Sequence, residues 1–130
     1  MKQKIKKVDE VRIGDAALKL ILGASKSLHP REFIGLLRGS DNTIRHVVVI
    51  PKSTYGNGFA QVNFLHVPMD KTIIGSVHSH PTKDNKPSKT DLTYFQKKGE
   101  IHLIVGYPYE NIGDIACYGR GGEKKGLKKQ

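Results

Sequence analysis

The chain has 130 residues, 22 of them Lys or Arg against 12 Asp or Glu, giving a formal net charge of +10. That length suits one domain with a real core and leaves no room for a second of useful size. No apolar segment follows the N-terminal lysines and none is long enough for a bilayer, so a soluble, cytoplasmic protein without signal peptide or membrane span is expected.

Most of the charge lies at the ends. Residues 1–8 carry Lys2, Lys4, Lys6 and Lys7 with no acid, and 120–130 carry five basic residues against Glu123, which leaves the stretch between near neutral. Such ends read as solvated tails that aid solubility, weak evidence for nucleic acid. The expected division is a basic tail over 1–10, a folded domain over 11–120 and a second basic tail over 121–130. In residues 11–28, Ile13, Ala17, Leu20 or Ile21, Ala24 and Leu28 fall near a 3.6-residue period, which predicts a helix ending before His29-Pro30. FIGLLRG (33–39) and TIRHVVVIP (43–51) are apolar runs separated by Ser40, Asp41 and Asn42, a strand pair with a tight turn. Residues 53–68 mix glycines with short apolar pieces and fit no element well.

KTIIGSVHSH (71–80) predicts a central strand stopped by Pro81. SKTDLTYFQKKG predicts a second helix starting at Ser88, with Leu92 and Phe95 inward and Gly99 as its stop. IHLIVGYP (101–108) and DIACYGR (114–120) predict two more strands, the first continuous enough to be buried on both faces. Cys117, the only cysteine, excludes an internal disulfide and a Cys-rich zinc knuckle, and its neighbours make it a structural strand residue. The order implies a single α/β domain, a mixed sheet with helices packed against it.

The stretch VHSHPTKDNKPSKTDL (77–92) carries the chemistry. Side chains two apart in a strand share a face, so His78 and His80 project together from the strand's C-terminal end. Hydrolytic zinc takes three N or O ligands and keeps one position for water, and Asp91 in the first helical turn offers the missing carboxylate. Read alone, Ser88-x-x-Asp91 is equally a helix cap, and an isolated His-x-His is a weak signal. Ser79 reads as a bystander on the opposite face, while His29, His46, His66 and His102 lack a partner at ligand spacing and read as structural or solvated.

Together with Glu32 upstream, these residues resemble the JAMM, or MPN-plus, zinc metallopeptidase motif, Glu…His-Ser/Thr-His-Pro…Ser-x-x-Asp. PREFIGLLRG (30–39) is similar to the family's Pro-x-Glu-x-x-Gly-Leu-Leu-x-Gly segment, and HLIVGYPYENIGDIACYGR resembles the late strands of small archaeal members. The resemblance covers about Val11 to Arg120. It implies a JAMM/MPN, cytidine deaminase-like fold with a mixed curved sheet flanked by helices. It also implies one zinc ion per chain held by His78, His80 and Asp91, with Glu32 as general base and Ser88 as oxyanion donor. The implied activity is an isopeptidase that removes ubiquitin or ubiquitin-like modifiers from their conjugates, as small archaeal relatives do. No segment matches the insertions with which larger relatives grip a second ubiquitin.

Two other readings stand beside it. A JAMM-like module related to DNA-repair proteins would use the basic ends for phosphate contacts, although the near-neutral centre and the absence of aromatics among the lysines weigh against nucleic acid. A non-catalytic MPN scaffold would share the fold, but its usual signature is loss of the ligands retained here. Oligomeric state is not encoded in any of these features.

Overall fold

Glu10 and Arg12 alternate with Val11 and Ile13, and in the computed structural model, which describes residues 10–50, 71–97 and 99–130, this alternation is strand β1 (Glu10–Ile13) with Val11 and Ile13 fully buried. The helix expected over 11–28 therefore starts later, as α1 (Asp15–Leu28), with extended Gly14 at its N-cap. Ile13, four residues before Ala17, also fits the helical period, and strand pairing on both sides of β1 decides the matter. Helix α1 buries Ala17, Leu18 and Ile21, while Leu20 stays 40% exposed.

Strands β2 (Ile34–Ser40) and β3 (Thr43–Val49) form an antiparallel hairpin. Its two loop residues, Asp41 (φ 51°) and Asn42 (φ 60°), are both left-handed, the turn whose twist matches that of the flanking strands. Strand β4 (Ile73–Ser79) lies antiparallel to β2 and parallel to β5 (Ile101–Val105), and α2 (Lys89–Phe95) connects the two. A Cβ on Gly75 of β4 would overlap the Ile101 carbonyl oxygen, so these strands meet closely only because Gly75 has none. A 3-10 turn at Ile112–Asp114 leads into β6 (Ile115–Tyr118), antiparallel to β5.

The last described strand, β7 (Lys124–Lys129), pairs antiparallel with β6 and parallel with β1, closing a barrel in the order β1-β3-β2-β4-β5-β6-β7. The solvated tail expected over 121–130 is thus a strand. The backbone turns at Gly122 (φ 87°), Leu127 packs against the core, and Lys128 lies 3.8 Å from Glu10 on the outer face. A strand whose outer face is wet shows the same lysine richness as a tail, and its single inward leucine is a weak signal. Of the N-terminal tail only Glu10 is described, and it belongs to β1; residues 1–9 lie outside the described residues, as does the segment 53–68.

Val11, Ile13, Leu37, Ile44, Val77, Leu103, Val105 and Cys117 fill the interior together with Ala17, Leu18 and Ile21 of α1. On the outer face of β5, Ile104 packs with Phe95 of α2 and with Ala116 and Tyr118 of β6. Strand β5 is accordingly buried on both faces. The architecture is the expected α/β domain with a mixed, curved sheet and flanking helices. Among the described residues no helix is long and apolar enough to cross a membrane.

Candidate metal centre

The C-terminal end of β4 presents His78, 1% exposed, and just beyond it the half-buried His80. Val77 of β4 belongs to the interior cluster, so His78 falls on the opposite side of the strand from it. Helix α2 delivers Asp91 in its first turn. Ser88 caps that helix: its Oγ accepts the Asp91 N–H at 3.1 Å, and the Ser88 N–H donates to Asp91 Oδ2 at 2.9 Å. The cap fixes the carboxylate with both oxygens toward the histidines. Asp91 Oδ1 is 3.3 Å from His78 Nε2 and Oδ2 is 3.4 Å from His80 Nε2, and ligand-capable atoms of all three residues lie within 4.8 Å of one another. The cap and the cluster coexist, so the two readings of Ser88-x-x-Asp91 were never exclusive.

These distances are informative. Charge-assisted N–H···O bonds cluster near 2.7–2.9 Å, whereas two ligands each ~2.0–2.1 Å from a tetrahedral zinc stand ~3.4 Å apart. The two Asp91–histidine distances match that spacing of ligands around a shared ion. His80 Nδ1 donates to the Asp84 carbonyl at 2.8 Å, so in the neutral ring the lone pair is on Nε2, the atom nearest Asp91. Two imidazole nitrogens and one carboxylate are a borderline-soft N/O donor set that fits zinc and leaves one position open.

Electrostatics agree. Burial opposes ionisation of Asp91, but hydrogen bonds from His78 and His80, the charge of His78 and the Ser88 N–H outweigh it and hold the carboxyl well below the usual range. For His80, burial favours the neutral ring, yet the Asp91 hydrogen bond, the Asp84 carbonyl and the charges of Asp91 and Glu32 together move its pKa upward. The half-buried Glu32 sits in the connection from α1 to β2, and its charge acts on both His80 and Tyr109. The fold thus brings Glu32, His78, His80, Ser88 and Asp91 to one end of the barrel.

Ser79 is no bystander. Facing inward and fully buried, its Oγ accepts the Phe33 N–H at 2.8 Å while its own N–H donates to the Phe33 carbonyl at 2.9 Å, pinning the residue that follows Glu32. A serine at an inward position is the sequence signal that could have flagged it, since a buried hydroxyl needs a partner. His102 is a satisfied core histidine, as expected. Its Nε2 donates to the Phe95 and Gly99 carbonyls, its Nδ1 accepts from the Ser76 hydroxyl at 2.7 Å, and burial pushes its pKa down to about 4. His29 donates to Tyr109, a residue to which no sequence signal pointed. His46 is exposed on β3, and His66 lies outside the described residues.

The family of prokaryotic homologues of the JAB domain matches residues 15–118. The chain belongs to the Prok-JAB family. A curated relative from Haloferax volcanii, described as a probable metalloprotease, is 35% identical over 127 residues, covering 90% of this chain and 78% of the relative. Among solved structures, one described as JAMM, a metalloprotease-like zinc site in the proteasome and signalosome, has a TM-score of 0.72 and 35% identity over 92% of this chain and 97% of its own. A JAB1/MPN domain protein from Archaeoglobus fulgidus gives 0.71 and 38% over 92% and 98%. The Prok-JAB span holds all five site residues and ends at Tyr118, so β1 and β7 complete the barrel from outside it. Fold, metalloprotease-like family and a metal-capable cluster are therefore in hand.

Proposed function

We propose that this Prok-JAB protein is a zinc-dependent isopeptidase or peptidase that cleaves ubiquitin-like modifiers from their conjugates. The observation that carries the reading is the convergence of ligand atoms of His78, His80 and Asp91 within 4.8 Å, with the charge of Glu32 acting on the same group. His78, His80 and Asp91 hold the ion, one per chain. Bound there, zinc lowers the pKa of water to ~7 and polarises the scissile carbonyl.

The protein's own groups do the rest. Glu32 accepts the proton of the attacking water and returns it to the leaving amine. The Ser88 hydroxyl accepts from the Asp91 N–H, so its own hydrogen stays available to the oxyanion, and one such donor is worth about 2.7–4 kcal/mol at the transition state. The capping box serves the chemistry twice, since it fixes both the Asp91 carboxylate and the Ser88 hydroxyl. A lysine-linked conjugate suits the site because its leaving group is an amine that needs this proton. The thin C-terminal tail of a modifier is taken up by a groove, because β4 is paired on both sides among the described residues and has no free edge there. Against a nucleic-acid module, the lysines of β7 lie three strands from β4 one way around the barrel and four the other. Against a non-catalytic scaffold, the ligand set is complete.

The test is metal content together with hydrolysis. Zinc-reconstituted protein is expected to hold about one ion per chain, to lose it on His78→Ala or Asp91→Ala, and to cleave an isopeptide-linked ubiquitin-like conjugate. Failure of the wild type to retain zinc sinks the reading, and zinc retention without cleavage of any modifier conjugate removes the substrate assignment.

A further inference from the structure

The connection that carries Glu32 is tied to the end of β4 at two points. One is the backbone and hydroxyl pairing of Phe33 with Ser79. The other is a relay through a single phenol: His29 Nδ1 lies 2.9 Å from Tyr109 Oη, which donates to the His80 carbonyl at 2.7 Å. The direction is forced. A phenol has one proton and a carbonyl only accepts, so His29 is the donor to Tyr109. Tyr109 is 1% exposed and holds φ 60°, a left-handed conformation that a bulky L residue keeps only where its surroundings impose it. Its ring stands edge-on to Tyr107 at 5.7 Å and to His29 at 5.6 Å, and its N–H donates to the Gly106 carbonyl at 3.1 Å. At this one oxygen the end of α1, the end of β4 and the loop between β5 and β6 meet. With anchors at His29 and Phe33, the three residues between them, Glu32 included, have little room to move.

We propose that Tyr109 is a positioning residue whose hydroxyl, joining His29 to the His80 backbone, sets where the Glu32 carboxylate stands relative to the His78, His80 and Asp91 group. The catalytic meaning of this tether rests on the peptidase reading, whereas the tether itself does not. Tyr109→Phe keeps the buried ring and removes both hydrogen bonds. His29→Ala, at an exposed residue, removes one from the other side, and His29→Asn places an N–H donor near the position of Nδ1.

The experiment uses the full zinc-loaded chain and two readouts, amide hydrogen exchange at Arg31, Glu32 and Phe33, and hydrolysis of a ubiquitin-like fusion. Tyr109→Phe and His29→Ala are expected to speed exchange at those three amides by about tenfold while β5 amides and zinc content stay as in the wild type. They are expected to lower kcat by about 10²-fold with KM within about twofold, and His29→Asn is expected to restore most of both. Unchanged exchange in Tyr109→Phe and His29→Ala overturns the tether whether or not anything is hydrolysed. Faster exchange with wild-type kcat, in a preparation where Glu32→Gln is inactive, overturns the positioning role and leaves the peptidase reading standing. A zinc-loaded wild type that cleaves no conjugate fails that reading alone, and the exchange data then decide the tether.

Discussion

At the scale of single residues, Glu32 and Ser88 separate base from cap. Glu32→Gln preserves size and hydrogen bonding and deletes the base. It is expected to keep zinc and fold while hydrolysis falls by at least about 10²-fold, read by steady-state kinetics at saturating zinc. Ser88→Ala is expected to lose rate as well, but with a cost of about 1 kcal/mol in urea unfolding, since it removes the α2 cap. His102 gives a pH signature. Its folded pKa of about 4 lies below the unfolded 6.5, so the unfolded chain binds the proton first as pH falls. Stability is therefore lost progressively from pH 6.5 down to 4, by up to about 1.4 kcal/mol per unit from this group. Metal-free His102→Gln, compared with the metal-free wild type by urea unfolding at pH 7, 6 and 5, is expected to show the shallower decline. Local periodicity places the side chains of His-x-His and Ser-x-x-Asp, but the site was legible because their joint spacing, with Glu32 upstream, carries the JAMM resemblance. Ser79 and Tyr109 were not, because their partners Phe33, His29 and His80 come close only through tertiary structure.

At the scale of elements, β4 and its neighbours were readable from apolar runs and stop signals, while β1 and β7 were not. β1 is four residues long and continues into a helical pattern, and β7 offers one inward leucine among lysines. Both exist because each completes the other's hydrogen bonding. Deleting residues 121–130 is accordingly expected to lower the melting temperature by at least about 10 °C, as followed by circular dichroism, since β1 and β6 each lose a partner and Leu127 leaves the core. An unchanged melting temperature would return the segment to a mere tail. Gly75→Ala strikes the other seam: the new methyl overlaps the Ile101 carbonyl, and a loss of about 2–4 kcal/mol with weakened zinc retention is expected, because β4 is the strand that carries His78.

At the scale of the whole molecule, charge and chemistry sit apart. The strand order puts the β1–β7 seam across the barrel from β4, the strand that carries His78. Removing residues 1–7 is expected to leave zinc content and cleavage of a small linear substrate intact, and to change only the salt dependence of partner binding, measured between about 0.05 and 0.2 M salt. The α/β class could be read from the alternation of helical and strand patterns, but closure could not, because it depends on a pairing between Glu10 and Gly126 that no local pattern encodes. That pairing also orders events in time. A ribosome releases β1 long before β7, so the nascent sheet waits with two open edges while β4 and α2 emerge between them. Loop-closure entropy makes such a distant pairing slow to find, and an unpaired edge is an invitation to other chains. The interval between the first strand and the last is thus when this protein is most exposed to aggregation, and a chaperone that shields strand edges would act then, before the zinc ligands have a finished barrel to stand on.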